Sequence, residues 1–154
     1  MHSAEEQVAS EPGCIARLGQ LAVRQGLAMG VLATGSARDF ALVLAAAGCA
    51  FPEAETWSER EVNDRLRAFL AGPGAMLAVD HVELRRWLVD TGVLARDGFG
   101  RAYALGTPRA EIADAMRELR GHDLAALVLG ARARDAERRA ARKQAWQGKA
   151  QDAA

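Results

Sequence analysis

Cysteine is scarce and poorly placed for chemistry: Cys14 and Cys49 are isolated thiols without a CxxC spacing, and His2, His81 and His122 stand singly along the chain. Neither a zinc site nor a disulfide framework is indicated. Long apolar runs are missing as well. No stretch approaches the ~18 residues of a membrane span, and the opening MHSAEEQVASEP carries acids where a secretory signal needs a basic region. A cytoplasmic protein with no membrane partner is expected. There is no excess charge of either sign, since 20 Lys and Arg balance 20 Asp and Glu, so bulk charge alone does not announce nucleic-acid binding. The chain shows no nucleophile beside a base, no paired carboxylates in a Gly-framed pocket and no phosphate-binding loop. No catalytic residue, metal site, cofactor or enzymatic activity is expected.

Aromatic residues are few, at 5%. The core must therefore be built mainly from Leu, Val and Ala around anchors such as Phe40, Trp57, Phe69 and Trp87. Half of the 154 residues are apolar and about a quarter charged, which is a globular profile sized for one domain plus appendages. The abundance of alanine makes helix the expected majority. Charge is unevenly distributed. Residues 36–106 hold eight Arg against ten acids, a balance of −2, whereas residues 131–149 hold seven basic residues against two acids, a balance of +5. Eighteen of the 20 basic residues are Arg, a bias that a GC-rich genome produces without functional selection.

Along the chain, Ile15, Leu18, Leu21 and Ala22 recur at helical spacing up to Gly26. The following LAMGVLATG is apolar but broken by Gly30 and Gly35, and reads equally as a short helix or a connector. Ser36 with Asp39 marks a helix start, and the stripe Phe40, Val43, Leu44, Ala47 runs to Gly48, a C-cap residue by type. Ser58, Glu61, Trp57 and Val62 combine a capping box with a hydrophobic staple and predict a helix over 59–70, stopped by the AGPG run at 71–74. A further helix is expected over 77–91, with Leu77, Leu84, Leu88 and Thr91 on one side. VLARDGFGRAYAL then reads as a hairpin over 93–105. Thr107 and Pro108 suggest the cap and first residue of a helix that uses Ile112, Met116 and Leu119. A last helix begins at Asp123, buries Leu124, Leu127 and Val128, and passes into an Ala- and Arg-rich end with little to bury.

Helix, short extended link, helix, Gly/Pro turn, helix, hairpin is the order of a winged helix-turn-helix unit. The expected class is mainly α with a small β-hairpin. It divides into an N-terminal helical extension (1–35), a winged-helix domain (36–106), and C-terminal helices with a basic, partly disordered tail (107–154). In that arrangement the 77–91 helix is the recognition helix and 93–105 the wing.

WSEREVNDRL, followed by LRRWLVDTGVLARDGFGRAY, also resembles the bacterial family of domain of unknown function 2087, over about residues 37–105. The resemblance rests on Glu61-Val62-Asn63, on Leu84-Arg85-Arg86 through Leu88-Val89-Asp90, and on Arg96, Gly100 and Tyr103. It implies a regulator whose relatives occur alone or joined to helix-turn-helix segments. The chain departs from the family pattern by a longer Gly/Pro-rich spacer between the two central helices.

Candidate contacts follow from position and side-chain chemistry. Arg85 and Arg86 on the recognition helix suit phosphate oxygens and the guanine edge, although Glu83 and Asp90 around Arg86 equally describe a salt-bridged surface. Arg96 and Arg101 bracket the wing tip and can lie along a backbone or pair with Asp97. Arg132, Arg134, Arg138, Arg139, Arg142 and Lys143 offer nonspecific phosphate affinity or form a solvated helix. Ser58 and Glu61 read as a cap rather than a catalytic pair, His81 as a packed or boundary residue rather than a metal ligand, and Trp57 and Trp87 as anchors. Asn63 either fixes the turn or touches a ligand. The expected activity is regulation through double-stranded DNA, as a homodimer. The rival is an interaction module that docks on a protein partner.

Overall fold

Four helices start where a short polar side chain accepts the orphan N–H of the residue three positions on. Ser36 takes that of Asp39, Ser58 that of Glu61, Asp80 that of Glu83 and Asp123 that of Ala126. A computed structural model of the chain describes residues 11–99 and 101–153. In it the elements run α1 (Cys14–Ala22), α2 (Met29–Gly35), α3 (Ala37–Gly48), β1 (Thr56–Trp57), α4 (Glu59–Ala71), α5 (His81–Asp90), β2 (Leu94–Arg96), β3 (Tyr103–Leu105), α6 (Ala110–Leu119) and α7 (Leu124–Asp152). The protein is mainly helical, with one small antiparallel sheet ordered β1–β3–β2.

Helix α3 is the axis of the core, with every residue from Asp39 to Gly48 buried. The apolar side of α6, formed by Ile112, Ala115, Met116 and Leu119, lies against it. The approach is close because Gly48 has no side chain: a Cβ there would stand 2.9 Å from both Met116 and Val93. Gly48 is therefore a packing residue at the end of α3 rather than the cap expected from its type, and Cys49 occupies the cap position. Trp57 and Val62 are both buried, as the staple predicts, and Trp57 meets Phe51 edge-to-face at 5.0 Å. Trp87 is half-buried and meets Phe40 edge-to-face at 5.3 Å.

Asp39 is a buried acid. Arg17, on α1, grips it with two hydrogen bonds, Nε to Oδ1 at 2.8 Å and Nη2 to Oδ2 at 2.7 Å. These bonds hold the Asp39 carboxyl below its ordinary range despite burial. The pair fastens α1 onto α3.

Several element boundaries differ from the sequence reading. Helix α1 ends at Ala22 rather than running to Gly26, and Gly26, at φ +67°, turns the chain so that Leu27 bridges Leu77. LAMGVLATG is a helix, α2. The bridge to Leu27 holds Leu77 extended, so α5 begins at His81 behind the Asp80 cap and not at 77. Thr107 and Pro108 do not open α6, which starts at Ala110. Gly106 continues the ladder by donating to the Val93 carbonyl, and the Thr107 carbonyl lies against Gly92, close enough to exclude any Cβ there. That contact keeps 106–108 extended.

The hairpin is present, with Leu94 opposite Leu105 and Arg96 opposite Tyr103. Its turn is tied by the Asp97 carboxylate, which accepts from the backbone of Phe99 and Arg101. Gly100 lies outside the described residues. The link at Thr56 and Trp57 is a third strand, paired to Ala104 and Tyr103.

Helix α7 runs 29 residues and buries only Leu124, Val128 and Ala131, with Leu127 half-buried. Its N-terminal part lies on α1, and Arg132 donates to the Ala22 carbonyl at 2.9 Å. Beyond Asp135 it is exposed on all sides through the described residues. Among the described residues no helix is long and apolar enough to cross a membrane.

Candidate nucleic-acid interface

Helix α4 and helix α5 pack together, and β2, paired to β3, lies beside α5. The two candidate arginines on α5 point to opposite tasks. Arg85 faces α4. It donates through Nη1 to Asn63 Oδ1, and its Nη2 stands 3.2 Å from the Glu59 carboxylate. Its side chain is 19% exposed, so the guanidinium is committed to joining the two helices. The same bond settles Asn63, whose amide oxygen fixes the mutual setting of α4 and α5.

Arg86, one residue on and 100° around the helix, is exposed and makes no hydrogen bond or ion pair among the described residues. The pairing with Glu83 or Asp90 that the spacing allows is not formed. Glu83 instead accepts from the Trp87 indole at 3.4 Å. Arg86 lines a groove of about 240 Å³ between α5 and the hairpin, together with Val82, Asp90 and Arg96. Arg96, on β2, is likewise exposed. The groove thus carries two uncommitted guanidiniums on facing elements, tempered by the Asp90 carboxylate.

At the hairpin tip Phe99 is 86% exposed, and the Arg101 guanidinium lies 5.9 Å from its ring centroid. This exposed aromatic was not singled out in the sequence, although its place in a D-G-F-G turn is a usable sign. His81 is partly exposed, and its Nε2 lies 3.3 Å from Arg67 Nη2. A guanidinium can only donate, so the ring nitrogen accepts. Among the described residues no three His, Cys, Asp or Glu side chains are grouped to hold a metal ion.

The tail cations do not join Arg86 and Arg96 in this groove. Arg138 and Arg139 both turn to Asp135, at 3.7 and 2.9 Å, while Arg142 and Lys143 are exposed on the free part of α7. Both cysteines are held toward the protonated thiol. Burial, aided by the Glu118 carboxylate, pushes Cys14 up to about 11, and burial also raises Cys49.

No curated protein and no solved structure matches the chain in comparisons with known proteins. Residues 35–105, which run from the end of α2 through β3, match the model of the family described as an uncharacterised protein conserved in bacteria, DUF2087, in agreement with the resemblance carried by Glu61-Val62-Asn63 and the α5–hairpin residues.

Proposed function

We propose that the chain is a DNA-binding regulator that uses a winged helix-turn-helix, with α5 as recognition helix and the β2–β3 hairpin as wing. The order α3–β1–α4–α5–β2–β3, with β1 paired to β3, supports this assignment. The observation that carries the function is the pairing of Arg86 and Arg96 across one groove, both exposed and free of internal ion pairs among the described residues. A phosphate or a guanine edge offers the acceptors that these forks lack. Arg85 acts differently from its neighbour, since it sets the angle between α4 and α5 and so aims Arg86. Asp80, Glu83 and Asp90 keep α5 from being basic. Affinity is therefore expected to depend on the wing and on the tail cations, with a strong response to salt.

The test is an anisotropy titration of a random-sequence duplex at several salt concentrations. DNA binding predicts a log–log slope of about −0.9 per phosphate neutralised, shallower after removal of residues 136–154. Arg86→Ala should weaken binding to an in-vitro-selected site by ~1–3 kcal/mol and leave random-sequence binding nearly unchanged if the side chain reads a base. Absence of any salt-dependent binding at ~50 mM salt overturns the proposal.

A second reading, a helical interaction module, draws on one observation: Trp146 is 73% exposed on the free length of α7. An aromatic in that position suits the centre of a protein interface, and a second copy of this chain is the simplest partner. Concentration-dependent sedimentation that Trp146→Ala abolishes would support it.

A further inference from the structure

A cleft more than twice the volume of the α5 groove lies away from it. It is bounded by the end of α3, the outer face of α4 and the turn joining α6 to α7, and it holds about 540 Å³. That volume falls within the range of small-molecule sites. None of the DNA-facing residues above lines it.

The cleft is apolar on one wall and cationic on another. Ala68, Pro73 and Ala125 supply the accessible apolar surface, over the buried Phe69 and Leu119. Arg65 and Arg120 supply the charge, and both are held in place. Arg65 donates through Nη1 to the Ala50 carbonyl at 2.8 Å, with its Cζ 5.6 Å from the Trp57 ring centroid. Arg120 donates through Nη2 to the neighbouring Phe51 carbonyl at 3.1 Å. A guanidinium has five N–H donors, so each retains several after these bonds, and each is already ordered by them. The acid nearest Arg120 is Glu53, at 3.6 Å and 78% exposed, a surface pair that a ligand can displace at little cost.

The first turn of α7 opens onto the same space through Asp123 and Leu124. The Asp123 carboxylate caps that turn by accepting the Ala126 N–H and so offsets the positive end of the helix, which leaves Arg65 and Arg120 as the cationic side. Two ordered guanidiniums beside an apolar wall complement an anion attached to an apolar body.

We infer that this cleft binds a small organic acid, an aryl-alkanoate or a medium-chain alkanoate. Its apolar body lies on Ala68, Pro73 and Ala125, and its carboxylate accepts from Arg65 and Arg120. Inorganic phosphate would leave the apolar wall unused. Helix α4 lies inside the family-matched segment 35–105 and the α6–α7 turn lies outside it, so a bound acid joins the two. The inference is independent of DNA binding.

The test uses the full-length, isotopically labelled protein titrated with phenylacetate and with octanoate. The neutral isostere 2-phenylethanol serves as control. Expected are saturable amide shifts concentrated in 46–50, 65–73 and 119–125, with the neutral compound at least about tenfold weaker. Arg120→Gln should weaken the acid about tenfold. Ala68→Phe, placed on the exposed face of α4 where it fills the cleft without removing a charge, should abolish binding and leave the thermal midpoint unchanged. If Arg120→Gln unfolds the protein, Ala68→Phe and the neutral compound decide alone. The inference is overturned by no saturable shift from either acid up to about 10 mM, by equal affinity for the neutral compound, or by binding that survives Ala68→Phe.

Discussion

Substituting Arg17 by Met tests whether the α1–α3 fastening is electrostatic. In the native protein Asp39 is 5% exposed and receives both guanidinium bonds at 2.7–2.8 Å. Removing the cation leaves a buried carboxylate, for which losses of ~3–5 kcal/mol are typical. Arg17 is itself 29% exposed, so solvent screens part of the pair and the low end, about 3 kcal/mol, is expected. For a chain of this size that corresponds to a fall of about 6–12 °C in Tm. The pH dependence has a definite sign. The folded-state pKa of Asp39 is depressed, chiefly by its hydrogen bonds from Arg17. Its stabilisation is therefore complete above the unfolded carboxyl value of about 3.9 and is lost as pH falls through the folded value. Arg17 stays protonated throughout and contributes no titration step of its own. The deficit of Arg17→Met relative to native protein should accordingly be large at pH 7 and shrink on acidification. Adding Asp39→Asn to Arg17→Met should recover part of the loss, because the amide carries no buried charge. Urea unfolding followed by circular dichroism across this pH range measures all of these. A deficit below ~1 kcal/mol at pH 7, a deficit independent of pH, or a double variant no better than the single one would refute the argument.

Gly48→Ala should cost ~1–3 kcal/mol by overpacking, since its Cβ would stand 2.9 Å from Met116 and Val93; equilibrium unfolding that shows no loss would mean α3 and α6 separate freely. Arg85→Ala should lower stability by ~1–2 kcal/mol through loss of the Asn63 and Glu59 contacts, whereas Arg86→Ala should stay within ±0.5 kcal/mol, as exposed, unpaired side chains do. The same unfolding assay separates the two, and equal effects would contradict their assigned orientations.

The features visible in the chain are those set by neighbours a few residues apart. Ser36, Ser58 and Asp123 announce helix starts because a cap acts over three residues, and the Trp57–Val62 staple and the hairpin turn at Asp97 are equally local. The stripes Val62-Leu66-Phe69 and Leu84-Leu88 name the buried faces of α4 and α5 before any partner is known. For the candidate interface, the chain supplied the arginines but not their division of labour. Arg85 and Arg86 are adjacent and chemically identical, and only the position of Asn63, 22 residues earlier, commits one of them inward.

What tertiary structure decided involves contacts between residues far apart in the chain. Helix α5 begins at His81 because Leu27 captures Leu77, and Thr107 and Pro108 stay extended because Gly92 lies beneath them. Thr56 and Trp57 become a strand only when β3 is beside them. The Arg17–Asp39 pair and the cleft edged by Arg65 and Arg120 have no local signature, since each joins elements whose approach is set by the core. Periodicity and capping determine which face of a helix is apolar and where it starts; which polar groups meet across two faces depends on how the helices cross, and that geometry is not written in any short window of sequence.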